Sequence, residues 1–467
     1  MAAAWAQAQG LPAEVEAALA RAKLPRDAVS VLVVDTQGNR PPRASHRAEV
    51  AMNPASVMKL VSTYAALDLL GPAYSWRTPV YLDAPVREGV LTGNLHIQGQ
   101  GDPTLVAERL WLMMRRIRGL GIDRIAGDIV LDRSAFTLAP LDPGGFDGEP
   151  LRPYNAAPDA LLLNYKSIVM TFTVDRANNL ARVLVNPPLS GVTVPATVPL
   201  SVGDCGDYRG SLRADFSDPT RIRFAGSYPA ACQERTWPIA FPEPAGFAAR
   251  AVAGMWREVG GQLGGTVRDG PLPAGLATPA FEIGSPTLAE VIRDINKYSN
   301  NVMAQQLFLS LSLPAARMSG QGTGGVAAGA ASFEASREVV RNWWRERFGE
   351  LEPPLLENGS GLSRGERISA QALARMLQSA WQSPLMPELM SSLPIAGVDG
   401  TMRRNRSRAA GSAHLKTGSL RDVVAIAGYV HARSGRRYVL VAIANHPNAG
   451  ASRAAFDALL EWVMRDE

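Results

Sequence analysis

Residues 78–282 read unlike the chain on either side of them, and that contrast limits what the fold can be. Before them, residues 28–35 (AVSVLVVD) form a β-branched run of strand length, followed by the turn signal Thr36-Gln37-Gly38-Asn39. Asn53-Pro54 then opens a helix whose apolar residues (Val57, Met58, Leu60, Val61, Tyr64, Leu67, Leu69) go nearly all round, the mark of a helix buried on every side. Gly71-Pro72 ends it. Within 78–282, short strand-like runs (93–99, 128–132, 168–174, 182–185) alternate with Gly, Pro and Asp turns, and one amphipathic helix is expected over 105–120. The proline-rich stretch 138–158 reads as a long loop or junction. Helical periodicity returns at 287–299, 301–311 and 367–382. Residues 423–431 and 437–444 form a hairpin across Arg433-Ser434-Gly435, and 451–464 a closing helix. The expected architecture is α/β: one domain built from both chain ends, with a β-rich insertion. A length of 467 residues fits such a division into two or three domains.

Several function classes are disfavoured. The net charge of +5 is modest, and its basic residues are scattered rather than clustered with aromatics, so nucleic acid is not an expected partner. No run of 18 apolar residues is present, so no transmembrane anchor is expected. The beginning, MAAAWAQAQG, has small-residue patterns of a signal cleavage site without the charged and apolar regions before it. It reads as the tail of a removed export signal, or else as an Ala-rich start. Two cysteines, Cys205 and Cys232, fit one disulfide in an exported protein, worth about 3 kcal/mol by loop entropy, although two separate thiols would satisfy the same count. With five His and no HExxH or CxxC spacing, no metal site is expected. The Gly/Ala-rich stretch 319–332 lacks the closing Gly-Lys-Ser/Thr of a phosphate loop and reads as a flexible connection.

The chemistry begins with Ser56 and Lys59. Residues i and i+3 share a helix face, so a hydroxyl in the first turn has an amine beside it. Burial disfavours a charged amine, which frees it to take the serine proton, while backbone N–H groups at a helix start can hold an oxyanion. A helix cap beside a snorkelling lysine would look the same. Only five of the 48 basic residues are lysines (Lys23, Lys59, Lys166, Lys297, Lys416). Such bias usually follows genome composition, yet Lys can lose its proton where Arg cannot. Two further elements follow. Tyr298-Ser299-Asn300-Asn301 lies at a break between helices, next to Lys297. His414-Leu415-Lys416-Thr417-Gly418-Ser419 precedes a strand pattern, where a lysine and a hydroxyl can grip a carboxylate. Ser56 begins the only S-x-x-K in the chain, and S-x-x-K, S-x-N and K-T-G in that order form an active-serine set.

On these motifs the chain resembles the class C, low-molecular-mass penicillin-binding proteins, the D-alanyl-D-alanine carboxypeptidase/endopeptidases. Ser56 and Ser299 lie 243 positions apart, far more than in the related small β-lactamases. Gly99-Gln100-Gly101-Asp102-Pro103-Thr104-Leu105, Pro153-Tyr154-Asn155-Ala156-Ala157-Pro158, Asn358-Gly359-Ser360-Gly361-Leu362-Ser363-Arg364 and Ala396-Gly397-Val398-Asp399-Gly400-Thr401 extend the likeness over the chain after about residue 11. One departure is Glu357-Asn358, where the family pattern leads one to expect an aspartate before the glycine. The resemblance implies a transpeptidase/β-lactamase-like domain from residues 11–76 and 283–467, an inserted domain from 77–100 and 165–282, and a smaller domain, 101–164, nested in it. It implies Ser56 as nucleophile, Lys59 as its base and Ser299 as proton relay to the leaving D-alanine. Asn301 would bind the substrate amide, Lys416 supply positive potential and Thr417 bind the terminal carboxylate. The Ser56 and Ser419 N–H groups would form the oxyanion hole, with Gly418 letting substrate lie close. No cofactor is implied. The expected partners are peptidoglycan stem peptides and β-lactams, and the expected location is the periplasm or cell-wall space. A β-lactamase, a catalytically vestigial wall-binding protein and an esterase are the competing expectations.

Overall fold

The computed structural model describes residues 10–313 and 329–466. The start of the chain (1–9) and most of the Gly/Ala-rich connection (319–328) lie outside the described residues. The chain divides into two compact units, one from residues up to Ser75 and from Pro286 onward, the other Trp76–Ser285.

The first unit is built on a five-stranded antiparallel sheet in the order Ala44–His46, Val29–Asp35, Arg437–Asn445, Val423–His431, Ala413–Leu420. The chain ends meet in its centre, where Val31 lies opposite Ala442. The three inner strands are buried along almost their whole length, which explains their continuous apolar runs: both faces are covered. On one face Val31, Val33, Leu440 and Ile426 share a core with Val15 and Leu19 of helix Ala13–Arg21 and with Phe456, Leu459 and Leu460 of helix Arg453–Met464. Toward the other face, Gln378 and Leu377 of helix Ala370–Gln382 hydrogen-bond Asp35 O and the Tyr429 hydroxyl.

Helix Lys59–Leu70 is buried from Lys59 through Leu67, and it ends where Gly71 takes φ 80°. Its start differs from expectation. Residues 55–58 form a separate 3₁₀ turn, Ala55–Met58, and the α-helix begins only at Lys59. Ala55 has φ 47°, and the Asn53 side chain accepts its N–H, so the chain enters through a tight turn that cannot carry α-helical bonds. The helices expected around Ser299 are Leu288–Tyr298 and Asn301–Ser310. Helix Phe333–Phe348 was not anticipated; its charged residues obscure the buried Val340, Trp343 and Trp344.

The second unit holds two five-stranded sheets and a four-stranded one, with a two-stranded ladder. The amphipathic segment forms helix Ala107–Gly119. A second helix, Phe247–Glu258, was not anticipated. Gly254 looks like a breaker in it but serves packing: a Cβ there would lie 2.1 Å from Pro188 O. Strand Ile129–Asp132, from the segment 101–164, pairs with Leu95–Gln98 and Val267–Asp269 in one sheet. Cys205 and Cys232 are disulfide-bonded in this unit. Among the described residues no helix is long and apolar enough to cross a membrane.

Candidate active site

All the sequence-selected active-site residues lie in the first unit. The tight Ala55–Met58 turn presents Ser56, half-buried, at the floor of a cleft of about 650 Å³. Two glycines let neighbouring backbone press on this turn. A Cβ on Gly361, whose φ is 77°, would sit 1.9 Å from Ala55 O; one on Gly418 would sit 2.4 Å from Pro54 O. Asn53 ties the turn down, with its N–H donating to Asn445 Oδ1 (2.8 Å) and its amide to Ser363 O (3.0 Å).

Lys59 is fully buried one turn on. Its Nζ lies 3.0 Å from Ser56 Oγ, 2.6 Å from Asn301 Oδ1 and 2.5 Å from Ser360 O. Burial, aided by the nearby Lys416 charge, holds this amine well below the usual lysine range, while Glu366 pulls the other way. Asn301 is the first residue of helix Asn301–Ser310, which the Asn300 side chain caps by accepting the Met303 N–H. Lys59 and Asn301 therefore meet although 242 positions separate them.

Ser299 ends helix Leu288–Tyr298 in the left-handed region, φ 57°, a conformation that turns the chain sharply between two helices. Its Oγ accepts from Lys416 Nζ at 2.9 Å. Lys416 is also fully buried, and burial lowers its amine to about 7. Lys297, beside Ser299 in sequence, is not part of this cluster: it ion-pairs with Asp399 at 2.6 Å. Lys166 pairs with Asp159 in the other unit, and Lys23 is exposed.

Lys416, Thr417, Gly418 and Ser419 lie on Ala413–Leu420, the edge strand of the sheet. Leu415 N–H donates outward to Pro394 O (2.9 Å). Backbone direction alternates along a strand, so the N–H groups of Thr417 and Ser419 face the same outer edge. The side chain of Thr417 bonds Thr401 Oγ1 at 2.7 Å, and Arg453 donates to Ser419 Oγ at 3.1 Å.

Sequence reasoning missed the support behind Lys59. Glu366 is fully buried, and its Oε1 accepts three consecutive N–H groups, from Glu357 (3.0 Å), Asn358 (3.1 Å) and Gly359 (3.0 Å). This fixes the loop whose Ser360 carbonyl holds Lys59. Burial raises the Glu366 carboxyl despite those bonds. The unusual Asn358 closes the same loop, accepting from Ser360 N (2.9 Å) and Ser360 Oγ (2.7 Å) and donating to Leu362 O (3.1 Å). An aspartate would manage only the first two, so the departure from the family pattern is accommodated. No short spacing links Glu366 to Lys59, and only loop closure joins them. Among the described residues no group of three or more His, Cys, Asp or Glu is arranged to hold a metal ion.

Two serines on one cleft, each with a buried lysine behind it and an edge strand beside them, belong to a penicillin-binding, transpeptidase-like fold. The chain is similar to penicillin binding protein 4 (dacB) from Haemophilus influenzae, with TM-score 0.73 and 21% identity over 96% of this chain and 99% of that one. It is also similar to the penicillin G-acylated Bd3459 predatory endopeptidase from Bdellovibrio bacteriovorus in complex with immunity protein Bd3460, with TM-score 0.52 and 15% identity over 93% and 92% of the two chains. Sequence narrows the class. The D-Ala-D-Ala carboxypeptidase 3 (S13) family model matches residues 11–465, and the chain belongs to that family. A D-alanyl-D-alanine carboxypeptidase of Actinomadura sp. (strain R39) is 29% identical over 421 residues, covering 85% of this chain and 74% of that protein.

Proposed function

We propose that this serine D-alanyl-D-alanine carboxypeptidase/endopeptidase works through an acyl-enzyme on Ser56 and is acylated there by β-lactams. The observation that carries the reading is the fully buried Lys59 amine, 3.0 Å from Ser56 Oγ and disfavoured as a cation. Lys59 takes the Ser56 proton as Oγ attacks the carbonyl carbon of the penultimate D-alanine. The oxyanion that forms is held by the N–H groups of Ser56 and Ser419. Ser299 gives its hydroxyl proton to the departing nitrogen as the C–N bond breaks, and Lys416 returns a proton to Ser299 across their 2.9 Å contact. Asn301 binds the substrate amide as well as orienting Lys59. Thr417, with the Lys416 charge behind it, receives the terminal carboxylate, and Gly418 keeps that edge open. Water then attacks the Ser56 ester carbonyl, the ester C–O bond breaks and a water proton returns to Ser56 Oγ, while Lys59 releases the proton it took and Lys416 regains one from solvent, which regenerates the enzyme. The substrate is a peptidoglycan stem peptide, and the place of action is outside the cytoplasm; the Cys205–Cys232 disulfide supports an oxidising compartment. The test is D-alanine release from a pentapeptide ending in D-Ala-D-Ala. Wild type releases it and Ser56→Ala does not; equal release by both would remove Ser56 from the mechanism.

A further inference from the structure

The cleft does not stop at the two Ser–Lys pairs. It passes Thr417 and opens onto a floor of Ile426, Phe456 and Leu460, rimmed by arginines at 404, 406 and 453. The turn that bears Arg404 and Arg406 is tied by a side-chain bond to the edge strand, where Thr401 Oγ1 bonds Thr417 Oγ1 at 2.7 Å. Its other end is held by Asn405, whose amide donates to Asp457 Oδ1 at 2.8 Å. Asp457 is the one acid among the cleft-lining residues, against three arginines. Arg404 and Arg406 are exposed, and neither has a carboxylate within ion-pair distance among the described residues. Exposed arginines without an acidic partner, held at the mouth of a cleft, make a site of positive potential waiting for an anion.

Its place identifies the anion. Resting on the proposed reading above, Thr417 marks the end of the site that holds the carboxylate of the leaving group. A single D-alanine ends there and has nothing to offer an arginine further out. A cross-link differs: its leaving amine belongs to a second stem peptide, which continues past Thr417 with its own free carboxylates. We infer that Arg404 and Arg406, with Arg453 across the cleft, form an anion-binding extension of the leaving-group side that takes the second peptide of a cross-link, so that the enzyme favours cross-linked dimers over terminal D-alanine.

The experiment compares kcat/KM for a non-amidated cross-linked stem-peptide dimer with kcat/KM for the monomeric pentapeptide. It uses wild type, the double variant Arg404→Glu/Arg406→Glu and the rescue Arg404→Lys/Arg406→Lys. In the Glu variant the dimer-to-monomer ratio falls roughly tenfold, the scale of two exposed charge pairs reversed, while monomer cleavage changes by less than threefold. The Lys variant keeps the ratio within about threefold, and the wild-type ratio shrinks as salt is raised. A ratio unchanged in the Glu variant, or equal loss on both substrates, overturns the subsite. Failure of the underlying reading looks different: wild type would then cleave neither substrate and would not be acylated by benzylpenicillin.

Discussion

The two Ser–Lys pairs have nearly the same geometry and opposite origins. Ser56 and Lys59 are three positions apart on one turn, with oxygen and nitrogen 3.0 Å apart. Ser299 and Lys416 are 117 positions apart, yet their atoms lie 2.9 Å apart. The first pair is made by local geometry and survives wherever its turn forms. The second exists only because the edge strand lies against the break between two helices. Burial acts on both amines, and the Lys416 charge lowers Lys59 further. The difference fits the proposed division of labour: Lys59, held by Asn301 and Ser360 and disfavoured as a cation by burial, suits a base, while Lys416, near its titration point at about 7, suits proton return and carboxylate attraction.

Substitution at Lys59 separates the two pairs by the largest effect. Lys59→Arg keeps a cation but forfeits a base, so the rate of acylation by benzylpenicillin drops on the order of 10²–10⁴-fold. Thermal melting should show a folded protein. Labelling at the wild-type rate would show that the local pair is only a cap and a stem.

A smaller effect sharpens the second pair. A lysine with a lowered pKa is charged below that value and neutral above it. For a carboxylate-bearing substrate, kcat/KM therefore declines as pH rises through about 7, where Lys416 loses its charge, and declines on the acid side as Lys59 becomes protonated. Lys416→Arg, which cannot return a proton to Ser299, lowers the rate at every pH, but it removes the alkaline decline and leaves the acid one, measured as a pH profile from 5 to about 10. An alkaline limb that persists unchanged in that variant would detach Lys416 from carboxylate binding.

The same contrast explains what the sequence could say. Ser56-x-x-Lys59 is legible because three residues of spacing imply one face. Ser299 and Lys416 are legible as separate motifs, and only their family order suggests that they meet. Glu366 carries no local signal, since its partners are three backbone N–H groups of a loop that must first close. Thr401 and the arginines after it become part of the cleft only through the Thr417 and Asp457 contacts. At the level of fold, the all-round apolar helix and the C-terminal hairpin were readable from periodicity. The 3₁₀ turn under Ser56 was not, because Ala55 at φ 47° runs against its own propensity and is held by Asn53, Gly361 and Gly418. Helix Phe247–Glu258 was hidden by Gly254, which serves close packing, and Phe333–Phe348 by its charge.

All of the proposed chemistry depends on Ser56 being an acylated nucleophile whose ester outlives the encounter. Intact-protein mass after incubation with benzylpenicillin, beside Ser56→Ala, tests it most directly. A persistent shift of one adduct is expected in the wild type and none in the variant. No shift with the antibiotic intact would mean a vestigial site, and no shift with the antibiotic hydrolysed would mean a β-lactamase; either result would rule out a long-lived acyl-enzyme on Ser56.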